Sequence, residues 1–152
     1  MFERVLLFGA KVVLGVIAVI VLVMLSTVYV ESRYKKVALP YVKKVVPLIS
    51  RWDPDLTMSF FSEELLDQID KDEFLEMNDT VSQLGDLEGF DPPVFSSLGT
   101  SITLEDGLER AVKYQVKAKY SNAYAVITIE LKELKDEFKI SGINFNSDIF
   151  AQ

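Results

Sequence analysis

An α+β domain carried on an N-terminal transmembrane helix is predicted by three features of this 152-residue chain. One is an uncharged run of nineteen residues, Val12–Val30. The second is a series of helix-start signals between Trp52 and Gly85. The third is two-residue alternation on both sides of Ser121-Asn122, the mark of half-buried strands. Helices followed by strands argue for a curved antiparallel sheet packed on about three helices. The expected division is an anchor at 1–32, a basic juxtamembrane segment and first helix at 33–51, and the α+β domain at 52–152.

In the anchor, thirteen of the nineteen residues are Val, Ile or Leu. As a helix the run spans roughly 28 Å, close to a hydrocarbon core of about 30 Å. At ~−0.3 to −0.6 kcal/mol per central Val, Ile or Leu, insertion is favoured by several kcal/mol. A cleaved signal has a shorter apolar region and small residues at the cut, whereas Val28-Tyr29-Val30 is bulky. An uncleaved single-pass anchor is expected, with Lys11 snorkelling and Tyr29, Arg33, Tyr34, Lys35 and Lys36 at the membrane interface. Two Lys/Arg precede the run and three follow it, which alone leans toward a cytoplasmic domain. The short N-terminal segment with its free amine instead resembles an N-in signal anchor. The expectation is the inner membrane, with the C-terminal domain periplasmic or extracellular.

Charge divides along the chain. Residues 1–36 hold five Lys/Arg and two Glu, net +3, and residues 37–152 hold eleven Lys/Arg and twenty-one Asp/Glu, net −10. A basic collar suits a lipid bilayer with anionic headgroups, and an acidic domain does not suit nucleic acid. The chain has no Cys and no His. Disulfides, thiolate chemistry, a lipidated Cys, and the commonest general base and metal ligand are thereby excluded. No catalytic or metal-binding constellation stands out, and no cofactor is implied. Between the collar and the domain, "KKVALP" (35–40) is echoed by "KKVVPL" (43–48). Pro40 and Pro47 predict a break or kink in any helix rising from the membrane.

"WDPDL" (52–56) is a helix start, with Asp53 as N-cap and Pro54 in the first turn. Ser62 caps a second helix, with Glu63 and Glu64 near its positive end. A third is expected at 71–84, with Phe74, Met77, Val81 and Leu84 on one face and Gly85 as the stop. Residues 62–91 carry eleven acids and one Lys. Glu63, Glu64, Asp67, Asp72, Glu76 and Asp79 read as a solvated surface and as a candidate partner surface.

After a loop at 85–94, strand character begins near Leu98, and "EDG" (105–107) makes a turn. A turn at Ser121-Asn122 sets the facing pairs by counting outward. One face then pairs Ala118 with Ala125, Val116 with Ile127, Tyr114 with Ile129 and Val112 with Leu131, and closes on Arg110 and Glu133. The other pairs Lys117 with Val126, Gln115 with Thr128, Lys113 with Glu130 and Ala111 with Lys132, and is mostly polar. A second turn at Lys135-Asp136 sets Ile140 opposite Leu131. Ile143 and Phe145 have the opposite phase, so a bulge is expected at Gly142.

"FFSEELLDQI" (60–69), "LGDL" (84–87) and "AVKYQVKAKYSNAYAVITIELKELKDEFKISGINFNS" (111–147) together resemble the nuclear-transport-factor-two-like superfamily, the cone-shaped α+β fold shared with SnoaL-like proteins. Asn122 precedes Ala123 where Gly is more usual, and Phe138 stands where Trp is frequent. The resemblance implies a cone enclosing a small pocket, with Trp52, Phe60, Tyr114, Val116, Tyr120, Ile127 and Ile129 as its possible lining. Enzymatic relatives place a Tyr with an acidic base, or a His–Asp pair, inside; here there is no His, and no acid is assigned beside Tyr114. The leading expectation is a non-enzymatic binding or accessory module that docks on a larger membrane-protein assembly of the bacterial envelope. The alternatives are a carrier or sensor of a small apolar ligand, and an isomerase-like enzyme. Both a monomer and a homodimer fit the Lys-bearing outer face of the sheet.

Overall fold

The structure is a computed structural model describing residues 2–103, 107–134 and 137–150; the side chains of residues 2–14, 26–28, 30, 31, 33, 35, 100–103 and 107–109 lie outside that description. The fold is α+β. Four α-helices, α1 (Phe2–Ile49), α2 (Pro54–Met58), α3 (Glu63–Gln68) and α4 (Lys71–Ser82), precede five strands. These are β1 (Leu87–Phe90), β2 (Val94–Thr103), β3 (Gly107–Tyr120), β4 (Tyr124–Leu134) and β5 (Glu137–Asn146), followed by a 3-10 turn at Asp148–Phe150. The chain forms two compact units, Met1–Lys35 and Lys36–Gln152.

In the first unit, Val16, Ile17 and Val19 to Leu25 each have about half or more of their surface open, 49–68%. Consecutive residues step about 100° around a helix, so apolar groups are open on all its sides. Among the described residues no helix is long and apolar enough to cross a membrane. Of the expected run Val12–Val30, the side chains of 12–14, 26–28 and 30 fall outside the description.

α1 corrects the expected break. It continues through Pro40 and Pro47 to Ile49. An interior proline removes one hydrogen bond and costs about 3 kcal/mol in an ordinary helix. Here both prolines are exposed, on the stripe that carries Lys36, Val37, Lys43 and Lys44. The carbonyls they free, at Lys36 and Lys43, belong to exposed residues that water can reach. The opposite stripe, Ala38, Val42, Val45, Val46 and Ile49, is buried. Residues 36–49 are therefore a core helix, within the stretch where the sequence predicts a basic juxtamembrane segment and first helix.

The β3–β4 register is the one counted outward from Ser121-Asn122. It runs from Lys119 opposite Tyr124 through Val116–Ile127 and Tyr114–Ile129 to Ala111–Lys132. Lys113 and Glu130 face each other at 3.4 Å on the open side. β5 pairs with β4, placing Ile140 opposite Leu131 and Gly142 opposite Glu130, so Ser141 is the extra residue of a bulge. That bulge returns Ile143 to the inner face, opposite Ile129. Two further register shifts, between Leu87 and Gly89 and between Phe95 and Ser97, bend the edge formed by β1 and β2 along β3. β1 is a correction, since a loop is expected at 85–94. "LEGF" is too short and too glycine-rich to read as a strand; pairing with Ala118–Tyr120 makes it one. Of the predicted turns, residues 105–106 and 135–136 lie outside the description, and Gly107 is the first residue of β3.

The helix caps follow the expected chemistry. Asp53 accepts from Leu56 N–H at 3.0 Å, and Ser62 Oγ from Leu65 N–H at 3.3 Å. Asp70 caps α4 by accepting from Asp72 and Glu73. Gly85 has φ +84°, and a Cβ there would clash with Ser121 Oγ. Only glycine suits that position.

Candidate functional site

Of the seven residues expected to line a cone pocket, Tyr114, Val116, Tyr120, Ile127 and Ile129 are buried in the core, each at most 2% exposed. They form the inner face of β3 and β4, and Ser50, the residue after α1, joins them through the Ser50–Tyr120 hydroxyl pair at 2.8 Å. Tyr41 on α1 also meets the ring of Phe138 on β5, at 5.9 Å between centroids. Phe60 and Trp52 are half-buried. None of the described carboxylates is buried, whereas the Tyr114 and Tyr120 side chains are.

Burial pushes the Tyr120 phenol up from 10.0 to about 12, and its bond to Ser50 opposes only part of that shift. The folded state thus favours the neutral phenol. Its contribution is complete below pH 10 and is lost as pH rises through the folded value. The domain is expected to lose stability between pH 10 and 12, followed by chemical denaturation at stepped pH. Tyr120→Phe, which cannot ionise, should make that part of the profile less steep, the remainder coming from Tyr41, raised to about 12 by burial and by Glu137, and from Tyr114, raised by burial; an unchanged slope would refute the assignment.

Trp52 ends α1 in a left-handed conformation, φ 59°. A bulky residue in that region costs on the order of 1–3 kcal/mol. Its contacts offset the strain. Nε1 donates to Gly85 O at 2.8 Å, its own carbonyl accepts from Asn78 at 3.0 Å, and its ring packs on Tyr120 and Phe145. Trp52 is thus the joint between the end of α1, α4 and the sheet.

The interface and surface residues divide. Tyr29 and Lys36 are exposed, while the side chains of Lys11, Arg33 and Lys35 lie outside the description. Tyr34 corrects its prediction, being 4% exposed. It lies four residues before Ala38, in phase with the buried stripe of α1. Glu63, Asp67, Asp72, Glu76 and Asp79 are exposed as expected. Glu64 is drawn aside: Lys132 Nζ donates to its Oε1 at 2.7 Å, and that bond holds the carboxyl below its ordinary range. Lys132 itself is 8% exposed, whereas its strand phase predicts a solvated side chain. α3 comes to lie near it because Phe60–Ser62 pair with Ile140 at the edge of β5.

That same edge pairing creates a groove of about 460 Å³ between the α3–α4 segment and β5. Its apolar wall comes from Phe61, Leu65, Ile69, Phe74, Met77 and Ile143. Gln68, Asp70 and Glu73 supply the polar part. Phe61 and Phe74 stand edge to face at 5.5 Å. Behind the groove is a cavity of about 20 Å³ that shares Phe74, Met77 and Ile143 with it and is also lined by Trp52, Thr57 and Asn78. Thr57 is 6% exposed, and its Oγ1 is buried with no hydrogen-bond partner among the described residues. Sequence reasoning missed this groove; the phase change at Gly142 was its only visible sign. Among the described residues no group of His, Cys, Asp and Glu is arranged to hold a metal ion.

Comparison with protein-family models, curated proteins and solved structures finds no match to this chain.

Proposed function

We propose that this chain is a membrane-tethered, non-enzymatic docking module of the bacterial envelope. α1 holds it in the inner membrane as a single-pass anchor, and residues 36–152 lie on the periplasmic or extracellular side. The carrying observation is the apolar surface of Val16–Leu25, open on all sides of the helix. Full burial of such a side chain gains about 1.5–3 kcal/mol, so with about half or more of each surface open the nine together favour leaving water by on the order of 10 kcal/mol. Soluble monomers rarely show such a surface. A helix apolar all round is a core or membrane helix.

The partner reading is supported by the acidic stripe of α4, Asp72, Glu76 and Asp79, which is exposed and spaced along one side. It suits a membrane protein with a basic surface. The proposed kinship with the cone fold is supported by the helices-then-sheet order and the bulge at Ser141-Gly142; a crystal structure with a flat sheet would remove it. The docking test is anchor-intact affinity capture from membranes in mild detergent at low salt. A stoichiometric partner is expected with the wild type, and it should be lost when Asp72, Glu76 and Asp79 are all changed to Lys. Absence of any stoichiometric partner, or its full retention by the triple variant, would overturn the reading. A topology reporter fused after Gln152 checks the side of the membrane.

A further inference from the structure

We propose that the groove between α3–α4 and β5 binds a small neutral amphiphile, an alkyl chain ending in an uncharged hydroxyl or carbonyl group, with its polar end on Thr57. The proposal is independent of the docking reading.

Three observations converge. The groove, at about 460 Å³, lies in the size range of small-molecule sites and has the mostly apolar wall such sites share. Thr57, whose Oγ1 is buried and has no hydrogen-bond partner among the described residues, is one of the residues lining the small cavity behind the groove. A buried hydroxyl left unpaired is destabilising, so a group that can bond it gains free energy on arrival. The cavity of about 20 Å³ accommodates roughly one oxygen atom with its hydrogens, the size of a terminal hydroxyl rather than a headgroup.

Met77 connects the two spaces. It lines both, is 43% exposed, and its unbranched thioether adapts easily to a neighbour. A chain lying on Phe74 and Ile143 can therefore extend its end past Met77 to Thr57. The charge of the ligand follows from the surroundings. No Lys or Arg lines the inner cavity, so a carboxylate or phosphate there would be buried without compensation. Asp70 and Glu73 on the groove likewise oppose an anion. An ammonium at the inner end would lack a carboxylate among the lining residues. The inner end is neutral.

Trp52, the only tryptophan of the chain, lines the same inner cavity and reports its occupancy. The test titrates 6-bromohexan-1-ol, whose heavy atom quenches indole emission, against the full chain in phosphatidylcholine nanodiscs; 1-bromohexane serves as the comparison. Saturable quenching is expected with both. Thr57→Val keeps the shape and removes the hydroxyl, so it should weaken the alcohol about five- to tenfold and leave the bromoalkane unchanged. Met77→Glu, at a half-open position, should weaken both by placing a charge in the path. Quenching that rises linearly without saturation, and equally in all three proteins, would mean partition into lipid only and would overturn the proposal. So would saturable quenching by the alcohol that Thr57→Val leaves unchanged. A water molecule as the sole partner of Thr57 corresponds to the second of these outcomes.

Discussion

Arginine at both Val21 and Leu22 is expected to shift the full chain from the membrane pellet to the supernatant after alkaline carbonate extraction. The two residues lie near the middle of Val12–Val30, and both are exposed on α1. Arg at a helix centre costs about 2.5–3.5 kcal/mol to insert, and the replaced Val and Leu each contribute about −0.3 to −0.6 kcal/mol. The double change therefore removes roughly 6–8 kcal/mol, enough to cancel what thirteen Val, Ile and Leu supply once end positions are discounted. Val21→Leu with Leu22→Val is the control and should remain in the pellet. Wild-type protein in the supernatant would refute the anchor directly. A double variant that stays in the pellet would show that something other than this helix holds the chain.

Ile129→Ala is expected to cost the domain about 2–5 kcal/mol, the range for removing a fully buried branched side chain. Ile129 has no exposed surface; it stands opposite Tyr114 on β3 and Ile143 on β5. Domain stabilities are about 5–15 kcal/mol, so this single change consumes a large part. Thr128→Ala, one residue earlier and on the open face opposite Gln115, should stay within about 0.5 kcal/mol. Urea denaturation of the two variants separates the faces of the sheet. Equal effects would mean that the register is wrong by one residue.

How much of this could be read beforehand depends on the range of the interaction. The β3–β4 pairing was legible because a two-residue period admits no slip: moving Tyr114 by one position would turn Val112 and Val116 to the open side, away from Leu131 and Ile127. The caps at Asp53 and Ser62 and the stop at Gly85 were legible because each is satisfied within a few residues of chain. Of the seven residues in the pocket prediction, Tyr114, Val116, Tyr120, Ile127 and Ile129 face inward, but whether space remained among them depends on α1. Its stripe of Ala38, Val42, Val45 and Val46 is buried with them, so five of the seven sit in the packed interior.

By itself, the order of residues in this chain determined the apolar run, the alternation of the strands, the bulge near Gly142 and the helix starts, because these arise from periodicity and from bonds between near neighbours. Tertiary structure alone decided that α1 continues through Pro40 and Pro47, that "LEGF" is a strand, and that Lys132 is covered and meets Glu64. It alone brought Thr57, Met77 and Ile143 around one cavity. The reason is physical: burial and pairing between residues dozens of positions apart depend on what the fold sets beside them, and a local pattern carries no record of that neighbour.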